Sequence, residues 1–229
     1  MIYLVGSYKG GSGKTTTATN LAVFLIEQKR KVLFIDGDEQ KTASLFNEVR
    51  AEDDSSAGLD MHTLFGAKLR TGVAALAAKA DDTVIDVGGR DSTTQRAALA
   101  IADVYLVPFA PRSPDLWTCN LVDELVKEAK GVNPKLQAYS FVSRADQYGL
   151  TGAAGQMATS ILSSLEHLEF LPLAIGNRVA FEKAFSQGLS VLELQPADAK
   201  ANAEVTALFT HIQTLANEKA WAEATALHA

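Results

Sequence analysis

The stretch GSYKGGSGKTTT at residues 6–17 constrains the fold more than any other part of the chain. A glycine-rich turn between a strand and a helix presents successive backbone N–H groups, and the helix N-terminus adds partial positive charge. In this P-loop pattern the lysine reaches the β- and γ-phosphates and the next hydroxyl binds Mg²⁺. A glycine-rich turn without a ligand would not require the Lys-Thr pair. The predicted phosphate-binding residues are Gly10, Gly11, Ser12, Gly13, Lys14, Thr15 and Thr16.

Short β-branched runs alternate with longer segments of helical periodicity, which is typical of βαβ units. The predicted strands are IYLVG (2–6), KVLFID (31–36), DMHTLF (60–65), TVIDV (83–87), VYLVPF (104–109), AYSFVS (138–143) and LEFLPL (168–173). Such alternation places helices on both faces of a parallel sheet. The sequence therefore predicts an α/β, three-layered P-loop NTPase domain with a mainly parallel, twisted sheet flanked by helices.

Two helices are predicted from periodicity and from their end signals. Apolar residues at i, i+3, i+4 and i+7 indicate a helix over residues 14–29. A second helix is expected to begin after Pro114 and to end at Gly131. The polar stretch AEDDSSAG at 51–58 is expected to be a loop.

Length and composition suit one domain. The chain has 229 residues, of which 47% are hydrophobic and 21% charged, and we expect a domain over 1–216 with a helical or frayed tail at 217–229. Its apolar runs are shorter than the roughly 18 to 20 residues that span a bilayer, so we expect a cytoplasmic protein. The net charge of −6 confines any DNA contact to a local basic patch. Cys119, the single cysteine, is expected to be a buried thiol.

Two acidic segments follow predicted strands. In VLFIDGDEQ at 32–40, Asp36 and Asp38 would repel each other unless a metal or a water network used them. In DTVIDVGGRD at 82–91, a hydrophobic strand ends in Asp86, which is expected to hold Mg²⁺ through water. The glycines after it, Gly88 and Gly89, would let the backbone swing toward a γ-phosphate as a switch. Two solvated acids at a loop are the alternative for the first segment.

The segment KGGSGKTT resembles the deviant Walker A motif of the ParA/MinD family of ATPases, in which an early lysine marks the group. The resemblance implies that ATP and Mg²⁺ are sandwiched in a homodimer and that Lys9 reaches the partner's phosphates and assists catalysis. It also implies that Asp38 orients or activates the attacking water, while Asp36 supports the Mg²⁺ shell. The alternative for Lys9 is a solvated surface lysine.

Two positions depart from the family pattern. Glu39 stands where the family usually has proline, which loosens the expected turn, and Ser143 with Arg144 stands where the family often has an asparagine that reads adenine. The segment VPFAPRSPD at 107–115 resembles the family's proline-rich loop at the dimer face.

The segment at 177–205 is similar to the C-terminal region of ParA-type partition ATPases. This resemblance implies non-specific DNA binding by Arg178, Lys183 and Lys200, nucleoid association in the ATP state, and a ParB-like or small centromere-binding adaptor as partner. A solvated helix face is the alternative for these cations. The expected role is plasmid or chromosome partition. A MinD-like or cargo-positioning ATPase, a metabolic P-loop enzyme and a nucleotide-gated scaffold with little hydrolysis remain alternatives.

Overall fold

The computed structural model describes residues 1–52, 58–89 and 92–226. Within these ranges the chain forms strands that alternate with helices. The strands are β1 (Ile2–Ser7), β2 (Val32–Gly37), β3 (Asp60–Thr63), β4 (Asp82–Gly89), β5 (Val104–Phe109), β6 (Gln137–Ala145) and β7 (Glu169–Gly176). The helices are α1 (Lys14–Glu27), α2 (Thr42–Glu52), α3 (Lys68–Leu76), α4 (Thr93–Leu99), α5 (Ser113–Leu116), α6 (Cys119–Val132), α7 (Ala153–Leu162), α8 (Val179–Ser186) and α9 (Ala199–Ala226).

The strands form one parallel sheet in the order β3-β2-β4-β1-β5-β6-β7. The carboxyl ends of β1, β2 and β4 lie side by side, and Asp36 on β2 is in register with Asp86 on β4. The β1–β4 register shifts between Val5 and Ser7, where the chain leaves the sheet for the glycine-rich loop. This edge of the sheet therefore brings the three predicted motifs together.

Helices cover both faces of the sheet because successive strand residues point to opposite sides. On β1, Tyr3 and Val5 pack in one core with α1, α2, α8 and α9, whereas Leu4 packs in a second core with α3 to α7. The near-continuous apolar runs of the central strands are explained by this double burial. The predicted three-layered α/β fold is confirmed.

The predicted helix after Pro114 is wrong in one respect, because it is two helices. α5 ends at Leu116 and α6 begins at Cys119. Between them the Asp115 carbonyl accepts hydrogen bonds from both the backbone N–H and the hydroxyl of Thr118, at 3.1 and 2.7 Å. This tight turn interrupts the helix.

Other boundaries differ by a few residues. α1 ends at Glu27 rather than at 29, and β3 stops at Thr63. In the expected loop at 51–58, α2 extends through Glu52, and residues 53–57 lie outside the described residues. Across residue 216, α9 continues as one helix to Ala226. None of the helices that the structure describes combines the length and apolar character that a membrane crossing requires.

A buried polar network joins α1, α2 and the segment between α8 and α9. The Arg50 guanidinium donates to both carboxylate oxygens of Glu193, at 2.8 and 2.7 Å, and to the Gly188 carbonyl at 3.0 Å. In the same segment the Ser190 hydroxyl donates to the Asn20 side-chain oxygen at 2.8 Å. Gly188 has φ +66°, and a Cβ there would lie 2.4 Å from the Arg50 backbone nitrogen. α2 and this segment are therefore in direct backbone contact.

Candidate nucleotide-binding site

The loop between β1 and α1 owes its shape to two glycines. Gly11 and Gly13 have φ of 80° and 94°, a region that glycine adopts without steric cost. Gly13 is the N-terminal cap of α1, and a Cβ there would lie 2.7 Å from the Ser143 hydroxyl oxygen. The loop consequently turns tightly into the start of the helix, where backbone N–H groups have no partner within the helix.

Lys14 is folded back onto this loop. Its ammonium donates to the Lys9 carbonyl at 2.9 Å, and the Ser7 hydroxyl donates to the same oxygen at 2.9 Å. Only 7% of Lys14 is exposed. Burial lowers its pKa, against the opposing effect of the nearby carboxylates, chiefly that of Asp86. The structure thus holds a cation at the centre of the predicted phosphate cradle.

Asp86 meets a condition for supporting a metal ion. It is 1% exposed, and among the described residues neither of its carboxylate oxygens has a hydrogen-bond partner of normal geometry. Burial raises its pKa, whereas the nearby Thr15 hydroxyl and the Lys14 ammonium lower it. A buried carboxylate without partners is costly unless a cation or its bound water completes it. Thr15 and Asp86 therefore provide oxygen ligands of the kind that Mg²⁺ takes.

The Asp36 carboxylate already has hydrogen-bond partners within the segment that follows β2. Its carboxylate accepts from the Asp38 backbone N–H at 3.1 Å, and from the Ser44 N–H and hydroxyl at 2.9 and 2.6 Å. It thereby fixes the start of α2. The predicted support of the Mg²⁺ shell by Asp36 would therefore be indirect, through the loop that it holds in place. In the part of the chain that the structure describes, the carboxylate whose oxygens have no hydrogen-bond partner is that of Asp86.

The loop after β2 forms a hydrogen-bonded turn at Asp38, with Glu39 at the position where the family usually has proline. The Asp38 carboxylate accepts from the Gln40 N–H at 3.0 Å, and the Asp38 carbonyl accepts from the Lys41 N–H at 2.9 Å. Lys41 takes a positive φ of 52° to close the turn. These two hydrogen bonds at Asp38 close the turn, a conformation that proline would otherwise favour.

The two switch glycines touch both neighbouring motifs. A Cβ on Gly88 would lie 3.1 Å from a carboxylate oxygen of Asp38. A Cβ on Gly89 would lie 3.1 Å from the Lys9 carbonyl carbon and 3.2 Å from the Gly10 nitrogen. The end of β4 is thus packed against the glycine-rich loop on one side and the Asp38 loop on the other.

A cleft of about 880 Å³ lies over these motifs. The exposed Lys9 lines it, together with Lys14, Thr15, Asp38 and the switch glycines. Sequence reasoning missed the Ser92 and Thr94 that also line it, at the start of α4. The sequence does contain a pattern that marks this position, because S-x-x-Q at residues 92–95 is typical of a helix start. In the structure Ser92 caps α4 by accepting a hydrogen bond from the Gln95 N–H at 3.1 Å.

A second cavity of about 400 Å³ adjoins the cleft. Gly13, Thr16 and Arg144 line both. Its apolar walls come from the C-terminal part of the chain, and they include Ile175, Val179, Phe181, Phe185, Val205, Leu208 and Phe209. No motif in the sequence marked this cavity, because its residues come together only when α8 and α9 fold over the end of β7.

The three residues predicted to bind DNA lie in different surroundings. Lys183 on α8 and Lys200 on α9 are exposed. Arg178 is partly buried at the second cavity, where its guanidinium donates at 3.0 Å to Glu204, whose carboxylate also accepts from the Gly176 N–H. Arg178 is therefore less available to a DNA phosphate than the two lysines are.

Residues 3–213 match the CobQ/CobB/MinD/ParA nucleotide binding domain. The chain belongs to this family. The match contains the glycine-rich loop, both acidic segments and most of α9. The predicted family is confirmed.

The relatives of this ParA/MinD-type chain include positioning and partitioning proteins. Maintenance of carboxysome distribution protein A of Halothiobacillus neapolitanus is 23% identical over 211 residues, or 91% of this chain and 94% of the relative. Chromosome-partitioning ATPase Soj of Thermus thermophilus is 34% identical over 164 residues, or 68% of this chain and 59% of Soj. The MinD complex with Mg-ADP from Pyrococcus horikoshii has a TM-score of 0.70 at 21% identity, covering 95% of this chain and 98% of that one. This last likeness shows the shared fold.

Proposed function

We propose that this chain hydrolyses ATP with Mg²⁺ and that ATP closes it into a sandwich homodimer. The observation that carries the proposal is that Lys14, Thr15 and the exposed Lys9 line one cleft, with the buried Asp86 carboxylate, whose oxygens are paired with no described residue, next to Thr15 and Lys14. Lys14 would bind the β- and γ-phosphates, and Thr15 and Asp86 would hold Mg²⁺, which neutralises developing charge on the phosphates.

Asp38 is the group proposed to position the attacking water. Its carboxylate lies against the switch glycine Gly88 and lines the same cleft as the glycine-rich loop. Phosphoryl transfer depends largely on positioning and electrostatics, so one oriented carboxylate governs turnover. The bond from Gln40 N–H holds that carboxylate in place.

Lys9 is proposed to act across the dimer. Its carbonyl is fixed by Ser7 and Lys14, whereas its side chain is exposed. In the dimer, the Lys9 ammonium of one subunit would contact the triphosphate bound by the other. This charge-assisted contact would couple dimerisation to nucleotide binding. Moving a monomer–dimer population from 1:99 to 99:1 requires about 5.5 kcal/mol of differential binding.

The adenine base is proposed to enter the second cavity. That cavity adjoins the phosphate cleft, and its Phe181 and Phe209 offer apolar surface to an aromatic ring. The polar Asn177 at its edge could contact the base.

The dimer is proposed to bind DNA without sequence preference and to drive plasmid or chromosome partition from the nucleoid in a cytoplasmic setting. Two subunits double the exposed Lys183 and Lys200, which strengthens a weak phosphate contact. A ParB-like or small centromere-binding adaptor is the proposed partner that stimulates hydrolysis. The 34% identity to Soj over 68% of this chain supports this role.

Positioning of a cargo other than DNA is a second candidate. It is supported by the carboxysome distribution protein, which matches this chain over 91% of its length. Both candidates share the ATP-dependent dimer and the nucleoid surface, and they differ in what the partner protein is attached to.

The test combines light scattering with phosphate release. The proposal expects monomers without nucleotide, dimers with ATP and Mg²⁺, and phosphate release that rises with DNA and partner. Dimers without phosphate release would favour a nucleotide-gated scaffold, and transfer of phosphate to a small acceptor would favour a metabolic enzyme. Purifying the partner by its binding to the ATP-state dimer, then identifying what it binds, separates DNA partition from cargo positioning.

A further inference from the structure

Arg144 occupies an unusual backbone conformation at the end of β6. Its φ is 55°, in the left-handed region that residues other than glycine seldom adopt. The residues on either side of it, Ser143 and Ala145, are buried, whereas Arg144 itself is exposed. The strand end thus turns the arginine outward at a point where its neighbours are fixed by packing.

The turned-out arginine lies where the two cavities join. Gly13, Thr16 and Arg144 are the residues that line both the 880 Å³ cleft and the 400 Å³ cavity. Gly13 and Thr16 belong to the start of α1 and Arg144 to the end of β6, so the junction lies between these two elements. A ligand that fills both cavities must pass between α1 and Arg144.

The charge of Arg144 lies in the same neighbourhood as those of Lys9 and Lys14. Burial raises the pKa of Asp115, and the nearby charges of Arg112, Lys9, Lys14 and Arg144 oppose that rise. Among the described residues no hydrogen bond or ion pair within 4.0 Å uses the Arg144 guanidinium. Its five N–H donors are therefore available to an anionic ligand.

A nucleotide bound as proposed above has a definite order of groups along this path. The β- and γ-phosphates occupy the glycine-rich loop and Lys14, and the base occupies the apolar cavity. The α-phosphate and the ribose lie between them, at the junction. Of these two groups only the phosphate is charged, and a guanidinium matches phosphate oxygens with paired hydrogen bonds.

We propose that Arg144 binds the α-phosphate of the subunit's own nucleotide and so fixes the point at which the polyphosphate turns toward the base cavity. This inference rests on the proposed nucleotide binding. It makes Arg144 an affinity determinant that serves ATP and ADP equally, unlike a residue that senses the γ-phosphate.

The test measures the affinities of ATP, ADP and GTP by calorimetry for the full chain and for Arg144→Gln, Arg144→Lys and Arg144→Gly. Arg144→Gln is expected to weaken ATP and ADP by the same factor, about 10- to 100-fold, as for loss of a charge-assisted hydrogen bond. Arg144→Lys should show an intermediate loss of affinity, because lysine keeps the positive charge but cannot form the paired hydrogen bonds of a guanidinium. Glycine adopts the positive φ of residue 144 without strain. A loss of affinity in Arg144→Gly equal to that in Arg144→Gln would therefore come from removal of the side chain.

The control is Arg70→Gln, since Arg70 is an exposed arginine on α3 that lines neither cavity. A loss confined to ATP would assign Arg144 to the γ-phosphate, and a changed ATP-to-GTP ratio would assign it to the base; either result overturns the inference. Unchanged affinities in Arg144→Gln and Arg144→Gly overturn it as well. If the unsubstituted chain binds no nucleotide, the proposed function fails together with it.

Discussion

The Lys14 ammonium donates a hydrogen bond to the backbone carbonyl of Lys9, at 2.9 Å. The lysine expected to hold phosphate is therefore occupied by the loop that carries the other lysine. On the proposed function, a triphosphate in the cleft would compete with this carbonyl for the ammonium, and the Ser7 hydroxyl would still donate to the carbonyl. Nucleotide binding would thus act on the Lys9 backbone through one oxygen atom.

Replacing Lys9 by alanine should abolish ATP-induced dimers while leaving the monomer folded. The side chain is exposed, and its removal leaves the Lys9 carbonyl and its two hydrogen bonds intact. Light scattering with ATP measures the dimer, and circular dichroism checks the fold. Lys135→Ala is the matched control, because Lys135 is exposed before β6 at the opposite edge of the sheet. Dimers that survive Lys9→Ala would contradict the sandwich arrangement.

Asp38→Asn should stop turnover and preserve the dimer. Asparagine keeps the side-chain oxygen that accepts from the Gln40 N–H, so the loop holds its shape while the negative charge is lost. Asp38→Ala removes both, and it should also retain dimerisation. Phosphate release is the measurement. A rate in Asp38→Asn equal to that of the unsubstituted chain would reject the assigned role.

Gly88→Ala should slow hydrolysis without unfolding the chain. The new methyl group would lie 3.1 Å from an Asp38 carboxylate oxygen, closer than an ordinary contact, so the carboxylate must move. A misplacement of about 1 Å can cost roughly 100-fold in rate. Gly131→Ala in α6 is the control, since a Cβ there meets nothing within 4 Å. Equal rates in both variants would show that the Asp38 position does not limit turnover.

Charge reversal of Lys183 and Lys200 together should weaken DNA binding and flatten its salt dependence. Each lost phosphate contact lowers the slope of log K against log salt by about 1, so a dimer that loses both lysines from each subunit should lose about 4. Fluorescence anisotropy at several salt concentrations measures this. The control reverses Lys68 and Lys135, which are exposed and lie outside α8 and α9. A slope that does not change would assign the two lysines to a solvated face.

Arg50→Met should destabilise the chain strongly. The Arg50 side chain is 4% exposed and its bidentate partner Glu193 is 23% exposed. Removing one member of a buried ion pair typically costs about 3–5 kcal/mol, whereas a surface pair contributes about 0–1 kcal/mol. Lys127→Met is the control, because the Lys127–Glu124 pair is 54% and 64% exposed. Urea unfolding midpoints compare the two, and similar shifts would contradict a structural role for Arg50.

The sequence contained enough to predict the sheet and the phosphate loop, because both depend on local patterns. Alternating apolar runs located the strands, and the spacing from Gly10 to Thr15 located the loop. The register of Asp36 with Asp86 also follows from parallel strands that end at one edge. What these residues do in turnover stays a prediction.

The remaining features depend on contacts between distant segments. Nothing near Arg178 in the sequence indicates Glu204, which pairs with it from α9. The second cavity needs β6, β7, α8 and α9 folded together, and periodicity reports only which face of each helix is apolar. The break between α5 and α6 depends on the Thr118 hydroxyl bonding to the Asp115 carbonyl, which helical propensity does not encode.

α2 is anchored at both of its ends. Near its first turn Ser44 is bonded to Asp36, and near its last turn Arg50 is bonded to Glu193 and Gly188. α2 therefore connects the segment around Asp36 to residues 188–193 through hydrogen bonds at both of its ends. In that segment Ser190 donates a hydrogen bond to Asn20 on α1, the helix that begins at the glycine-rich loop. The Asp38 loop and the glycine-rich loop are therefore joined by a second set of contacts, through the interior of the domain, besides their meeting in the cleft.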